Sequence, residues 1–139
     1  MKKINLILPL VLIVMLILSS AAQASDLEKE MKNIGKNCKL LKLSVADPAK
    51  KTEALQEIGS MIKSAEAARQ LTPKKTSEIP EASRSQFITD YQKQIDKLIE
   101  QFKKIESDLM AGKIEDAKAD FSKISGIKRE GHEKFAAKE

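Results

Sequence analysis

Apolar residues recur at alternating spacings of three and four through nearly all of the chain beyond residue 26, a period that favours α-helices. Leu27, Met31, Ile34, Cys38, Leu41 and Val45 form the first stripe. At 3.6 residues per turn they share one helical face. Leu55, Ile58, Ile62, Ala65 and Ala68 form the second, ending near Leu71. Phe87, Tyr91, Ile95, Leu98, Phe102, Ile105 and Leu109 form the third. Ile114, Ala117, Phe121, Ile124, Lys128, His132 and Phe135 form the fourth. Composition points the same way. Aromatic residues make up only 4% of the chain, and Ala, Leu, Lys and Glu abound where a β fold needs branched and aromatic side chains.

The breaks between stripes set the topology. Asp47-Pro48 is an N-cap followed by the residue that best tolerates the first helical position. The segment 72–83, TPKKTSEIPEAS, has two prolines and no periodicity, so it reads as a long loop. Gly112 is a C-terminal stop. Two tight connections and one longer loop predict an all-α, antiparallel, up-down-up-down four-helix bundle.

The first 24 residues stand apart. Met1-Lys2-Lys3 is basic, Ile4–Leu18 carries no charge, and Ala22-Gln23-Ala24 has the small-x-small form of a cleavage site. That layout predicts a signal peptide at 1–24 and a mature domain at 25–139. The apolar run is shorter than the roughly 20 residues of a membrane span. Cleavage lowers the net charge from +5 to +3. Export, mixed-sign charge and scarce aromatics argue against nucleic acid as a partner, despite the basic pI. They predict a periplasmic location without stable membrane association after cleavage, and a monomer. Cys38 is the single cysteine, which excludes an internal disulfide and the Cys-x-x-Cys-His pattern of covalent haem attachment.

Met31 and His132 both fall on apolar stripes. A lone histidine there is ordinarily a core residue with one hydrogen bond, and a lone methionine a gap-filler. Their heights alter that reading. Met31 lies about 9 Å along its helix from Ser25, and His132 about 10 Å from Glu139, at roughly 1.5 Å per residue. Helices 1 and 4 of an up-down bundle are antiparallel neighbours, so the two side chains are expected at one level, facing inward. A thioether and an imidazole so placed can take the two axial positions of a haem iron. His132 being the only histidine, no distal acid–base group would remain for an oxidase or peroxidase, so no enzyme is expected.

Five segments carry a resemblance. Ser25-Asp26-Leu27-Glu28-Lys29-Glu30-Met31 resembles the mature start of the soluble cytochrome b-562 family. Leu71-Thr72-Pro73 is similar to that family's loop beside the haem, and Asp90-Tyr91 to an Asp-Phe pair on its third helix. Gly112 to Ala117 (GKIEDA) is similar to its last turn, and Lys128 to Phe135 (KREGHEKF) to its ligand-bearing final helix. The resemblance implies one non-covalent haem b per chain. Met31 and His132 would be its axial ligands, Ile34, Pro73 and Tyr91 its pocket walls, and Lys128 a neighbour of a propionate. It also implies one-electron transfer with redox partner proteins that the sequence does not name. This chain departs from the family at Tyr91 (usually Phe), Lys128 (usually Arg) and Gly131 (usually larger), which bears on redox tuning rather than on ligation. The competing expectation is a non-haem helical-bundle envelope protein, a stress chaperone or adaptor, with Met31 and His132 as ordinary core.

Overall fold

A computed structural model describes residues 7–138, with side chains from Ala22 onward; the basic start of the leader lies outside them. Four helices follow one another: α1 (Ile7–Ser44), α2 (Lys51–Arg69), α3 (Glu81–Met110) and α4 (Ile114–Phe135). The four-helix bundle read from the stripes is the observed architecture. Among the residues with described side chains, no helix is long and apolar enough to cross a membrane.

The helix ends have local causes. Asp47 caps a single 3₁₀ turn, Pro48–Lys50, by accepting a 2.9 Å bond from the Ala49 amide, and this turn leads into α2. Gly112, at φ 73°, ends α3. The Lys113 amide bonds back to the Asp108 carbonyl at 2.8 Å and the Gly112 amide to the Leu109 carbonyl at 3.2 Å, which is a Schellman closure. Ser25-Asp26 caps nothing in the full-length chain, because α1 runs unbroken through Ala24-Ser25. The preceding Ala21-Ala22-Gln23-Ala24 contains only residues that a helix accepts readily. The segment expected to be loop holds a 3₁₀ helix, Lys74–Glu78.

Ile34, Leu41, Ile58, Met61, Phe102, Ile105, Leu109 and Ile124 are fully buried in one core. The interior is less apolar than the stripes imply: Asn37, Ser44, Ser64, Gln94 and Asp120 are buried too. They pair across helices, as buried polar groups must. Asn33 Nδ2 donates to Ser60 Oγ (3.2 Å) and Ser64 Oγ (2.6 Å). Asn37 Nδ2 donates to Asn33 Oδ1 (3.1 Å) and Ser60 Oγ (3.3 Å), and Ser44 Oγ to the Glu57 carboxylate. This polar ladder joins α1 to α2. α2 packs along α3 and α3 along α4, whereas α4 closes no comparable seam with α1.

Candidate functional site

The partners of α1 fix which way its flanks point. Asn33, Asn37 and Ser44 bond to α2. At 100° per residue, Asn37 and Ser44 lie about 60° and 80° to one side of the buried Ile34, whereas Met31 and Cys38 lie about 60° and 40° to the other. Met31 and Cys38 thus border the open side of α1, facing α4. Both are half-buried and packed against the core. Gly35, one turn beyond Met31, adds no bulk to this flank; a Cβ built there would meet nothing within 4 Å.

The same construction orients α4. Gln94 Nε2 of α3 donates to the Ile127 carbonyl at 3.0 Å, and Lys104 Nζ of α3 reaches Asp120 Oδ2 at 2.9 Å. Ile127 and Asp120 lie about 60° and 40° to one side of Ile124; Lys128, Phe121 and His132 lie about 40°, 60° and 80° to the other. The flank bearing His132 is therefore the one turned toward α1. Met31 and His132 border the same seam. Their levels follow from contacts around the bundle. Asn33 meets Ser64, the Tyr91 hydroxyl meets the Ala68 carbonyl, and Gln94 meets Ile127. These steps set Met31 within about one turn of Lys128–His132.

The inward orientation expected of His132 and Lys128 is corrected: both are exposed. The buried line of α4 runs Ala117, Asp120, Ile124, Phe135, with half-buried Ile127 and Gly131 between. Successive steps of four from Ile124 rotate about 40° each, so they carry Lys128 and His132 out of the core to its edge. The ring of His132 makes no hydrogen bond among the described residues. Its backbone carbonyl accepts from the Ala136 amide at 3.0 Å, and Glu133, Ala136, Ala137 and Lys138 line an open hollow beside it.

The other predicted site residues are inside. Ile34 is 1% exposed, and Pro73, within the α2–α3 loop, is buried. Tyr91 is 3% exposed and donates a 2.6 Å bond to the Ala68 carbonyl; burial pushes its phenol pKa up. This bond accommodates the hydroxyl that a phenylalanine would lack. Tyr91 lies at the end of the bundle where α4 terminates, the end that the loop bearing Pro73 reaches. Phe135 lies there with ring centroids 5.3 Å from Phe87 and 5.7 Å from Tyr91, and Lys75 Nζ ties the loop to the Lys134 carbonyl at 2.8 Å. The sequence stripes contained Phe87 and Phe135, but nothing in them marked the two as a cluster. Gly131 lies against α3, where an added Cβ would stand 3.3 Å from Gln94 Cγ.

Among the described residues no three His, Cys, Asp or Glu side chains are grouped to hold a bare metal ion. The chemistry on offer is a thioether and an unengaged imidazole on two flanks of one open seam, backed by aliphatic and aromatic side chains. A thioether and an imidazole are donor types that fit a haem iron. The family model for cytochrome b562 matches residues 26–136, and the chain belongs to that family. No individual curated protein matches at a significant level.

Proposed function

We propose that the mature chain is a periplasmic b-type cytochrome. It carries single electrons through one non-covalent haem b, with Met31 and His132 as axial ligands. The observation that carries this reading is the shared border of Met31 and His132 on the α1/α4 seam. When bound, the haem supplies the one-electron chemistry. Met31 contributes a thioether from a half-buried position, so its sulfur is shielded from water on the core side. His132 contributes an imidazole that breaks no hydrogen bond in order to ligate. Ile34, Pro73 and Tyr91 are buried and exclude water. Lys128 is an exposed cation on the same flank as His132, suited to a propionate. With Met31 and His132 both holding the haem, no site would be left open for a substrate, so the chain would be a carrier working with redox partner proteins, not an enzyme. The chain acts as a monomer released by cleavage after Ala24.

The non-haem bundle reading keeps one observation in its favour: the core is packed while His132 stands at its edge. Visible spectra decide between the two. The mature protein should show sharp reduced bands, and acidic organic solvent should extract all of its colour. His132→Ala should lose most haem affinity, and Met31→Ala should turn partly high-spin with a lower potential. A protein that stays colourless after haemin addition, or two variants with unchanged spectra, would overturn the assignment. Intact mass of periplasmic protein tests the cleavage.

A further inference from the structure

The face of α1 turned away from the core bears an unusual surface. Lys29, Lys32, Lys36, Lys39, Leu40 and Leu43 are all exposed. They lie within about 60° of the direction opposite Ile34. Leu43 is 71% exposed and Leu40 41%, large apolar side chains set among lysines. From Met31 to Ala46 the chain has four lysines and no acid. Glu28, at the edge of the face, pairs with Lys32 at 2.6 Å. Lys29, Lys36 and Lys39 form no ion pair among the described residues. On the α2 side Lys63 joins them across a shallow groove floored by Asn33, Ser60 and Ser64.

We propose that this outer face of α1 docks reversibly on an anionic lipid surface. Four cations along about 15 Å of one helix match a plane of headgroup phosphates. Lysine stems can lie along the interface with their ammonium groups among the phosphates while Leu40 and Leu43 enter the acyl boundary. An acidic protein would answer the lysines but gives no account of two leucines lined up with them on a convex helix. α1 is also the helix continuous with the apolar leader, so it is the element an exporting chain presents nearest the bilayer. Docking so would leave the α1/α4 seam clear, because Met31 stands about 120° around the helix from the face's centre. Attachment of this kind is weak and salt-sensitive, unlike an anchor, and it does not depend on haem.

The test is co-sedimentation of the mature protein with vesicles of phosphatidylglycerol and phosphatidylcholine mixed, or of phosphatidylcholine alone. It is run in about 0.02 M and about 0.5 M salt, where charge screening differs most. Binding is expected only to the mixed vesicles and only in low salt. Lys36→Glu with Lys39→Glu should weaken it at least about 25-fold, taking about five-fold per lysine. Leu40→Ser with Leu43→Ser should weaken it about ten-fold. Lys93→Glu with Lys103→Glu makes the same charge change on α3 and should bind as the parent does; circular dichroism confirms that each variant is folded. Failure to sediment with the mixed vesicles overturns the proposal. Equal loss in the α3 control overturns it too, since net charge would then suffice. Insensitivity to the leucine changes also overturns it and would indicate an acidic protein as the occupant.

Discussion

Asp120→Asn tests whether the far end of the bundle is held by a buried carboxylate. Asp120 is 3% exposed and accepts from Lys104 Nζ at 2.9 Å and Lys123 Nζ at 2.6 Å. Bonds from the two ammonium groups hold its carboxyl pKa well below the usual carboxylate range. Two charge-assisted bonds would contribute about 1.5–3 kcal/mol each if both partners were buried. The lysines are more than half exposed, so solvent offsets roughly half of that. An amide in the same place also turns its own NH₂ toward cations. A net loss of about 2 kcal/mol follows, or about 8 °C in Tm for a domain of this size. Because the folded pKa lies below the unfolded one, the stabilisation is complete above about pH 5. It fades as acid protonates the unfolded carboxylate near pH 4. Thermal melts at pH 7 and at about pH 2.5 should show a wide gap between parent and variant that narrows on acidification. A fall under about 2 °C at neutral pH, or a gap indifferent to pH, would refute the role of the charge.

Asp108 should behave in the opposite sense. Burial and the neighbouring Asp120 push its carboxyl pKa up, so in the parent it adds stability only as pH falls through that raised value. Asp108→Asn should therefore stabilise by up to about 1 kcal/mol at pH 7 and by less in acid, read by urea titration. Tyr91→Phe removes the 2.6 Å bond to Ala68 but leaves that carbonyl its bond from the Leu71 amide; a loss of about 1 kcal/mol with intact haem spectra is expected. Gly35→Ala should stabilise the haem-free chain by about 0.5–1 kcal/mol. If a macrocycle packs on that flank, haem titration should show weaker binding.

Periodicity made most of this fold legible. Asp47-Pro48 and Gly112 mark their boundaries through φ preferences that act within a single turn, and both work as local rules predict. The fourth stripe went astray where it stepped by four from Ile124 to Lys128 to His132; a true 3.6 period continues through Ile127, Gly131 and Phe135. An apolar count also passes over Asn37, Ser64, Gln94 and Asp120, whose burial depends on partners from other helices. Met31 could be placed on its flank from sequence, because the stripe around it is regular. The exposure of His132 was not readable, since it depends on how far α4 stands from α1. The aromatic cluster of Phe87, Tyr91 and Phe135 likewise depends on how α3 and α4 pack, since its members come from both helices.

The amide and hydroxyl ladder between α1 and α2 bears on how such a chain finds its alignment. Aliphatic ridges slide past one another with little change in energy. A displacement of one turn, about 5.4 Å, would set Asn33 and Asn37 against alkyl groups and cost them their partners. Misaligned pairings of the first hairpin are thus penalised once the bundle closes over these groups and water can no longer satisfy them. The alignment of the whole bundle is thereby set by a few amides and hydroxyls on its first two helices rather than by the aliphatic core they border.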